Sequence, residues 1–274
     1  MGNPEIFFEI TDTCNHICWY CCKGFRGHPG LTMSYATLDK VLALPKSRLV
    51  ISGGEPSLCR DEVFYMVKQS DVPVAVNTNL TCWTREDLQS LSQSVRLQIS
   101  VPSMFKDEYE SITGSLNYAR LLENLDYVGG GNTIIAIAVH SRNRDRLAQS
   151  LSRLAVRGFR SFMLQPVYGA AAREDDFEAS VRAIENVYNT NRHLNIFFLA
   201  HCGSSMPATH QCSAGRGRLV ILSNGDIVPC ACRKMNVLGN LFAADFNFSA
   251  VREAGDAFYQ SFPPEQRTLC KGYL

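Results

Sequence analysis

Apolar residues in this chain follow two rhythms that alternate from residue 6 to about residue 200. One is a short, nearly unbroken run: Ile6–Ile10, Leu49–Ser52, Val74–Asn77, Leu97–Val101, Ile134–Val139 and Ser161–Val167. Runs of this length between turn signals predict strands, the first of them buried. The other rhythm spaces apolar residues three or four apart. Tyr35, Leu38, Val41 and Leu42 make one helical face after Ser34 and stop at Pro45. Thr84 and Asp87 read as a capping box ahead of Leu88 and Leu91. Leu147, Leu151, Leu154 and Ala155 form a further stripe closed by Gly158, and Phe177, Val181, Ile184 and Val187 form the last. Strand–helix units in this succession predict an α/β fold on a parallel sheet.

The texture changes after residue 200. Leu219–Val228 reads as a hairpin with Asn224-Gly225 at its turn. The expected organisation is therefore a main domain over residues 1–200 and a smaller one over 201–274. Gly129-Gly130-Gly131 reads as a loop before the fifth strand.

With 274 residues, 46% of them hydrophobic, the chain can bury one large core. A formal net charge of +1 gives no bulk electrostatic case for nucleic acid or a membrane surface. No segment approaches the roughly 18 uninterrupted apolar residues of a membrane span. The start, Met1-Gly2-Asn3-Pro4, lacks a basic stretch and does not read as a signal peptide. Eleven cysteines without secretion signals suggest metal ligation rather than disulfides, in a reducing cytoplasmic setting.

Chemistry concentrates directly after the first strand, in Cys14-Asn15-His16-Ile17-Cys18-Trp19-Tyr20-Cys21. A cubic [4Fe–4S] cluster takes four thiolates. Three local ones leave an iron open to another ligand, and a zinc knuckle is the plainer reading of the same residues. The run resembles the CxxxCxxC signature of the radical S-adenosylmethionine superfamily. Leu49–Ser52 then runs into Gly53-Gly54-Glu55-Pro56, which resembles that superfamily's GGEP motif. The resemblance implies a partial (β/α)6 TIM-like barrel with its chemistry at the C-terminal strand ends. It also implies a cluster on Cys14, Cys18 and Cys21, and S-adenosylmethionine chelated to the open iron. Glycines permit close backbone approach to a ligand, and Glu55 can accept hydrogen bonds from the cofactor's ammonium. Polar strand ends then make Asn79 and Ser100 candidate cofactor contacts. Trp19 and Tyr20 would shield the cluster, and Cys22 reads as a spare thiol. Relatives often carry an arginine for the cofactor carboxylate where this chain has Thr113-Gly114, with Arg142 a possible replacement. Arg142, Arg144 and Arg146 otherwise read as the solvated start of a helix.

A second set, Cys212-Ser213-Ala214-Gly215, Cys230 beyond the Asn224-Gly225 hairpin, and Cys270 near the end, resembles the twitch extension, a shortened SPASM domain. That implies a small C-terminal iron–sulfur extension with an auxiliary [4Fe–4S] cluster on Cys212, Cys230 and Cys270. Tyr273 stands where several relatives have cysteine, so the fourth ligand is Cys202, Cys232 or an open position, with Cys202 preferred because Cys232 shares a short segment with Cys230. A zinc ribbon is the alternative for the same residues.

The expected activity is generation of a 5′-deoxyadenosyl radical and hydrogen abstraction from a natural-product or peptide substrate, followed by oxidation or cross-linking. The pattern resembles 2-deoxy-scyllo-inosamine dehydrogenases and ribosomal-peptide maturases. An external donor such as flavodoxin or ferredoxin would supply electrons. The alternatives are a radical epimerase using Cys59 or Cys82 as hydrogen donor, and a non-catalytic zinc or iron–sulfur protein.

Overall fold

Residues 2–21, 33–167, 177–198, 212–231 and 233–267 are described by a computed structural model. The chain opens with β1 (Glu5–Glu9), α1 (Tyr35–Ala43), β2 (Arg48–Ser52), α2 (Arg60–Gln69), β3 (Val74–Thr78), α3 (Arg85–Ser94) and β4 (Arg96–Ser100). Two helices, α4 (Lys106–Thr113) and α5 (Tyr118–Val128), precede β5 (Thr133–Val139). Then come α6 (Leu147–Val156), β6 (Ser161–Pro166), α7 (Phe177–Thr190) and β7 (Asn195–Phe197). The C-terminal part holds β8 (Arg218–Ile221), β9 (Asp226–Val228), β10 (Gly239–Asn240) and α8 (Phe248–Gln260).

The strands form one sheet in the order β10-β9-β8-β1-β2-β3-β4-β5-β6-β7. From β8 through β7 every neighbouring pair is parallel, and only the β8–β9 and β9–β10 pairs are antiparallel. The expected α/β architecture is therefore present, and the hairpin forms around Gly225, whose φ is +87°. The hairpin joins the main sheet, because β8 lies parallel beside β1. Glu5 faces Arg48 on one side and Arg218 on the other, pairing with both at 3.2 and 3.1 Å. Such part-exposed pairs contribute about 1 kcal/mol or less each, but opposite charges directly across neighbouring strands help fix the register.

Strand alternation separates two environments. Ile6, Phe8, Leu49, Ile51, Val76, Leu97, Ile99, Ile135, Phe162 and Leu164 belong to the hydrophobic core beneath the helices. Their neighbours in sequence, including Ser52, Asn77, Gln98, Ser100, Ala136, Met163 and Gln165, line a cavity on the other face. The helices end where their sequences say they should. Ser34 caps α1, Thr84 and Asp87 form the reciprocal capping box of α3, and Gly114 ends α4 with a φ of +61°. No helix among the described residues is long and apolar enough to cross a membrane.

Candidate active site

The cysteine run leaves β1 as an irregular loop and is held from three sides. At its root, Gly54 N–H donates to Thr11 O and Glu55 N–H to Thr13 O, both at 2.8 Å. At its middle, Ile17 and Trp19 donate their N–H groups to Thr113 O (2.9 Å) and Ile112 O (3.3 Å). These carbonyls close α4 and would otherwise lack helical partners. The third attachment is a closed ring of side chains. Asn79 Nδ2 donates to Asn15 Oδ1 (2.7 Å), Asn15 Nδ2 to Thr81 Oγ1 (2.8 Å), and Thr81 Oγ1 to Asn79 Oδ1 (2.7 Å). His16 packs edge-on against Tyr109, whose hydroxyl lies 3.2 Å from His16 Nε2. Burial pushes the His16 pKa down to about 4, so its ring is neutral near pH 7.

Cys14, Cys18 and Cys21 open together onto a cavity of about 320 Å³, shared with Tyr20, Ser52, Gly53, Gly54, Glu55 and the inward residues of β3 to β6. Burial, followed by repulsion among neighbouring acidic groups, moves the Cys14 pKa up to about 11 and that of Cys18 to about 12. Thiolates in this position need a positively charged occupant, which a metal cluster supplies by displacing the thiol protons. Three thiols around one cavity are the donor type that an iron–sulfur cluster takes. The residues present fit the cluster.

Glu55 is 1% exposed and wholly committed on one side. Its Oε1 accepts from Ser57 N (3.1 Å), Ser57 Oγ (2.7 Å) and Thr78 Oγ1 (2.6 Å), while Oε2 accepts only Asn79 N (2.7 Å). Among the described residues three donors crowd Oε1 and one reaches Oε2, so Oε2 is the oxygen with room for a cationic donor. Burial pushes the Glu55 carboxyl up, and the donors from Asn79, Thr78 and Ser57 pull it back. An ammonium at Oε2 would add to that pull. Glu55→Gln keeps the shape but turns an N–H toward the Asn79 N–H and removes the charge. Charge-assisted hydrogen bonds contribute about 1.5–3 kcal/mol, so S-adenosylmethionine affinity should fall about tenfold or more. Titration of the reconstituted protein checks this, with iron content unchanged. An unaltered affinity would show that Oε2 does not meet the cofactor.

Several expected residues take different roles here. Asn79 lines the cavity, as expected of a cofactor contact, and its amide is also bonded into the ring with Asn15 and Thr81, which holds the cysteine loop. Gly53 and Gly54 line the cavity and also let the backbone of the cysteine loop come close: a Cβ on Gly54 would lie 1.9 Å from Thr13 O. Ser100 does line the cavity. Cys59 sits in the core under the helices, and Cys82 is exposed. Neither lines the cavity, so their expected place as hydrogen donors to a substrate there is not supported. Arg142 stacks over Trp19 at 4.8 Å and donates to Ser111 O. It is not among the cavity's lining residues, whereas Thr113 is. Asn15, His16, Gln98 and Tyr109 were not singled out from sequence. Gln98 was detectable as the polar member of the alternating Leu97–Ser100 segment. The others depend on contacts from distant elements.

In the tail, Gly215 N–H donates to Arg218 O (2.9 Å) and Pro229 O (3.3 Å), which sets the Cys212–Gly215 turn beside the end of β9, next to Cys230. Gly255 of α8 packs on this turn so closely that a Cβ there would lie 2.2 Å from Gly215 O. Cys202, Cys232 and Cys270 lie outside the described residues.

Known proteins resemble this chain in sequence or in fold. An uncharacterized protein of Archaeoglobus fulgidus is 29% identical over 205 residues, 68% of this chain and 49% of that protein. The GTP 3′,8-cyclase of Pectobacterium atrosepticum is 27% identical over 131 residues, 43% of this chain and 40% of the cyclase. The chain thus spans half or less of the length of these relatives. Streptococcus suis SuiB bound to its precursor peptide SuiA superposes with a TM-score of 0.75 at 14% identity, over 98% of this chain and 70% of SuiB. The enzyme anSMEcpe with bound AdoMet gives 0.72 at 12% identity, over 97% and 87%. At these identities the likeness is one of fold. Residues 8–154, more than half of the chain, match the model of the Radical SAM superfamily. Its three-thiol loop faces a buried carboxylate across one cavity, and this chain belongs to the radical SAM superfamily.

Proposed function

We propose that this protein binds a [4Fe–4S] cluster on Cys14, Cys18 and Cys21, holds S-adenosylmethionine against Glu55, and oxidises a peptide or polar natural-product substrate. The observation that carries the reading is the shared cavity, with thiols and carboxylate at one end and neutral polar side chains at the other. When bound, the cluster and S-adenosylmethionine supply an electron, from a donor such as flavodoxin or ferredoxin, and a 5′-deoxyadenosyl radical. The chain orients the cofactor and limits water. Glu55 Oε2 receives the ammonium, Ser100 stands at the rim for a hydroxyl, and Trp19, packed between Arg142 and His140, covers the outer side of the loop. In the cavity wall Asn77 Oδ1 is buried with no hydrogen-bond partner among the described residues, beside Gln98 on the next strand. A substrate N–H or O–H would satisfy it. Amides and hydroxyls on this face suit a peptide backbone or a polyol, and SuiB and anSMEcpe, which share the fold, have been crystallised with peptides.

Oxidation is favoured over epimerisation because the two thiols considered as hydrogen donors, Cys59 and Cys82, do not line the cavity. An auxiliary cluster on Cys212, Cys230 and Cys270, with Cys202 as the preferred fourth ligand, would accept the substrate electron. Its redox behaviour would be set by ligation and burial. Turnover in deuterated water separates the outcomes. The expected product is two mass units lighter and carries no solvent deuterium. A product of unchanged oxidation level with one deuterium would make the protein an epimerase.

A further inference from the structure

We infer that Asn124, on α5 and remote from the cysteine loop in sequence, is a positioning residue for the S-adenosylmethionine site, acting through the left-handed backbone of Leu80. The inference rests on the reading of Glu55 as the ammonium acceptor. Leu80 has a φ of +69°, and it is the only non-glycine residue among those described with a positive φ. A branched side chain disfavours that conformation, and such strain persists only where surrounding contacts impose it.

The contacts are specific. Leu80 N–H donates to Thr78 Oγ1 (2.9 Å), and Leu80 O accepts from Asn124 Nδ2 (2.7 Å). The same Nδ2 reaches Trp83 O at 3.4 Å, and Trp83 Nε1 donates to Thr78 Oγ1 at 3.0 Å. Thr78 Oγ1 in turn donates to Glu55 Oε1, while the N–H of Asn79, just before the left-handed turn, meets Oε2. Turning Leu80 back to an ordinary φ would redirect the peptide groups that aim Asn79 at Glu55 and at Asn15. Asn124 is the outer anchor of this chain of bonds. It is 0% exposed, and both neighbours of its Nδ2 are carbonyls, which fixes the orientation of its amide. Its Oδ1 is buried without a hydrogen-bond partner among the described residues, so the amide is held in this network through its donor.

The test uses the reconstituted full chain, titrated with S-adenosylmethionine and followed by the change in the reduced cluster's electron paramagnetic resonance spectrum. Asn124→Leu should weaken binding about tenfold, as expected for one buried hydrogen bond, with iron content retained. Leu80 is itself fully buried in the core, so Leu80→Gly alone is the reference: adding Asn124→Leu to it should cost no further affinity, because glycine takes a φ of +69° without an anchor. Wild-type affinity in Asn124→Leu, or a tenfold further loss when it is added to Leu80→Gly, overturns the inference. If Asn124→Leu does not fold, Asn124→Asp, which sets an acceptor against both carbonyls, is read by the same two criteria. Failure of the unaltered protein to bind S-adenosylmethionine would instead sink the assignment of the site itself.

Discussion

Replacing Cys14, Cys18 and Cys21 together with alanine is expected to abolish formation of 5′-deoxyadenosine while the fold survives. The three side chains face the cavity rather than the core beneath the helices, so their loss removes ligands without opening a packing defect. The loop itself is held by backbone bonds to Thr11, Thr13, Ile112 and Thr113 and by the Asn15 ring, none of which uses a thiol. Iron analysis sharpens the test. With two cubic clusters the intact protein should carry about eight irons and the triple variant about four. Normal 5′-deoxyadenosine formation by the triple variant would remove the radical reading altogether. A fall from about four irons to none, with zinc retained, would leave the primary cluster in place and make the tail a zinc ribbon.

What was legible in the sequence divides along a physical line. Strands announce themselves by short apolar runs between turn signals, and β1 to β6 fall within a residue or so of Ile6–Ile10, Leu49–Ser52 and the rest. Helices α1, α3 and α6 carry local end signals in Ser34, Thr84 with Asp87, and Gly158, and they too follow the pattern. Helices α4 and α5 lie outside the helical stripes read from the sequence, and Thr113-Gly114 reads there as the stretch matching a cofactor-binding pair. In the structure Gly114 is the left-handed stop of α4. β7 was missed because three residues with one buried side chain give no period to read. The attachment of β8 to β1 depends on pairing across more than two hundred residues, which no local pattern encodes. The site divides in the same way. Ligand types at fixed spacing, Cys14, Cys18, Cys21 and Glu55, could be read directly. The partners of Asn79 could not, because a ring joining residues 15, 79 and 81 exists only once the loop and β3 are folded together.

Gly54→Ala should be the most damaging single substitution that touches no ligand. The added Cβ would stand 1.9 Å from Thr13 O, 2.3 Å from Thr13 C and 2.9 Å from Cys14 N. All three are backbone atoms, so no rotamer change relieves the contact. Either the root of the cysteine loop moves away or β2 shifts, and each breaks the bonds from Gly54 N to Thr11 O and from Glu55 N to Thr13 O. Inserting even one carbon into a well-packed region typically costs about 1–3 kcal/mol, and more where backbone cannot yield. Cys14 follows directly after Thr13, so displacement passes straight into the ligand set. The expected result is loss of most primary-cluster iron together with a lowered melting temperature. Gly131→Ala provides the matched control, since nothing lies within 4 Å of a Cβ built there and both measurements should stay at the wild-type level. Full iron loading and an unchanged melting temperature in Gly54→Ala would mean that close approach of the two backbones is not what places the cysteine loop.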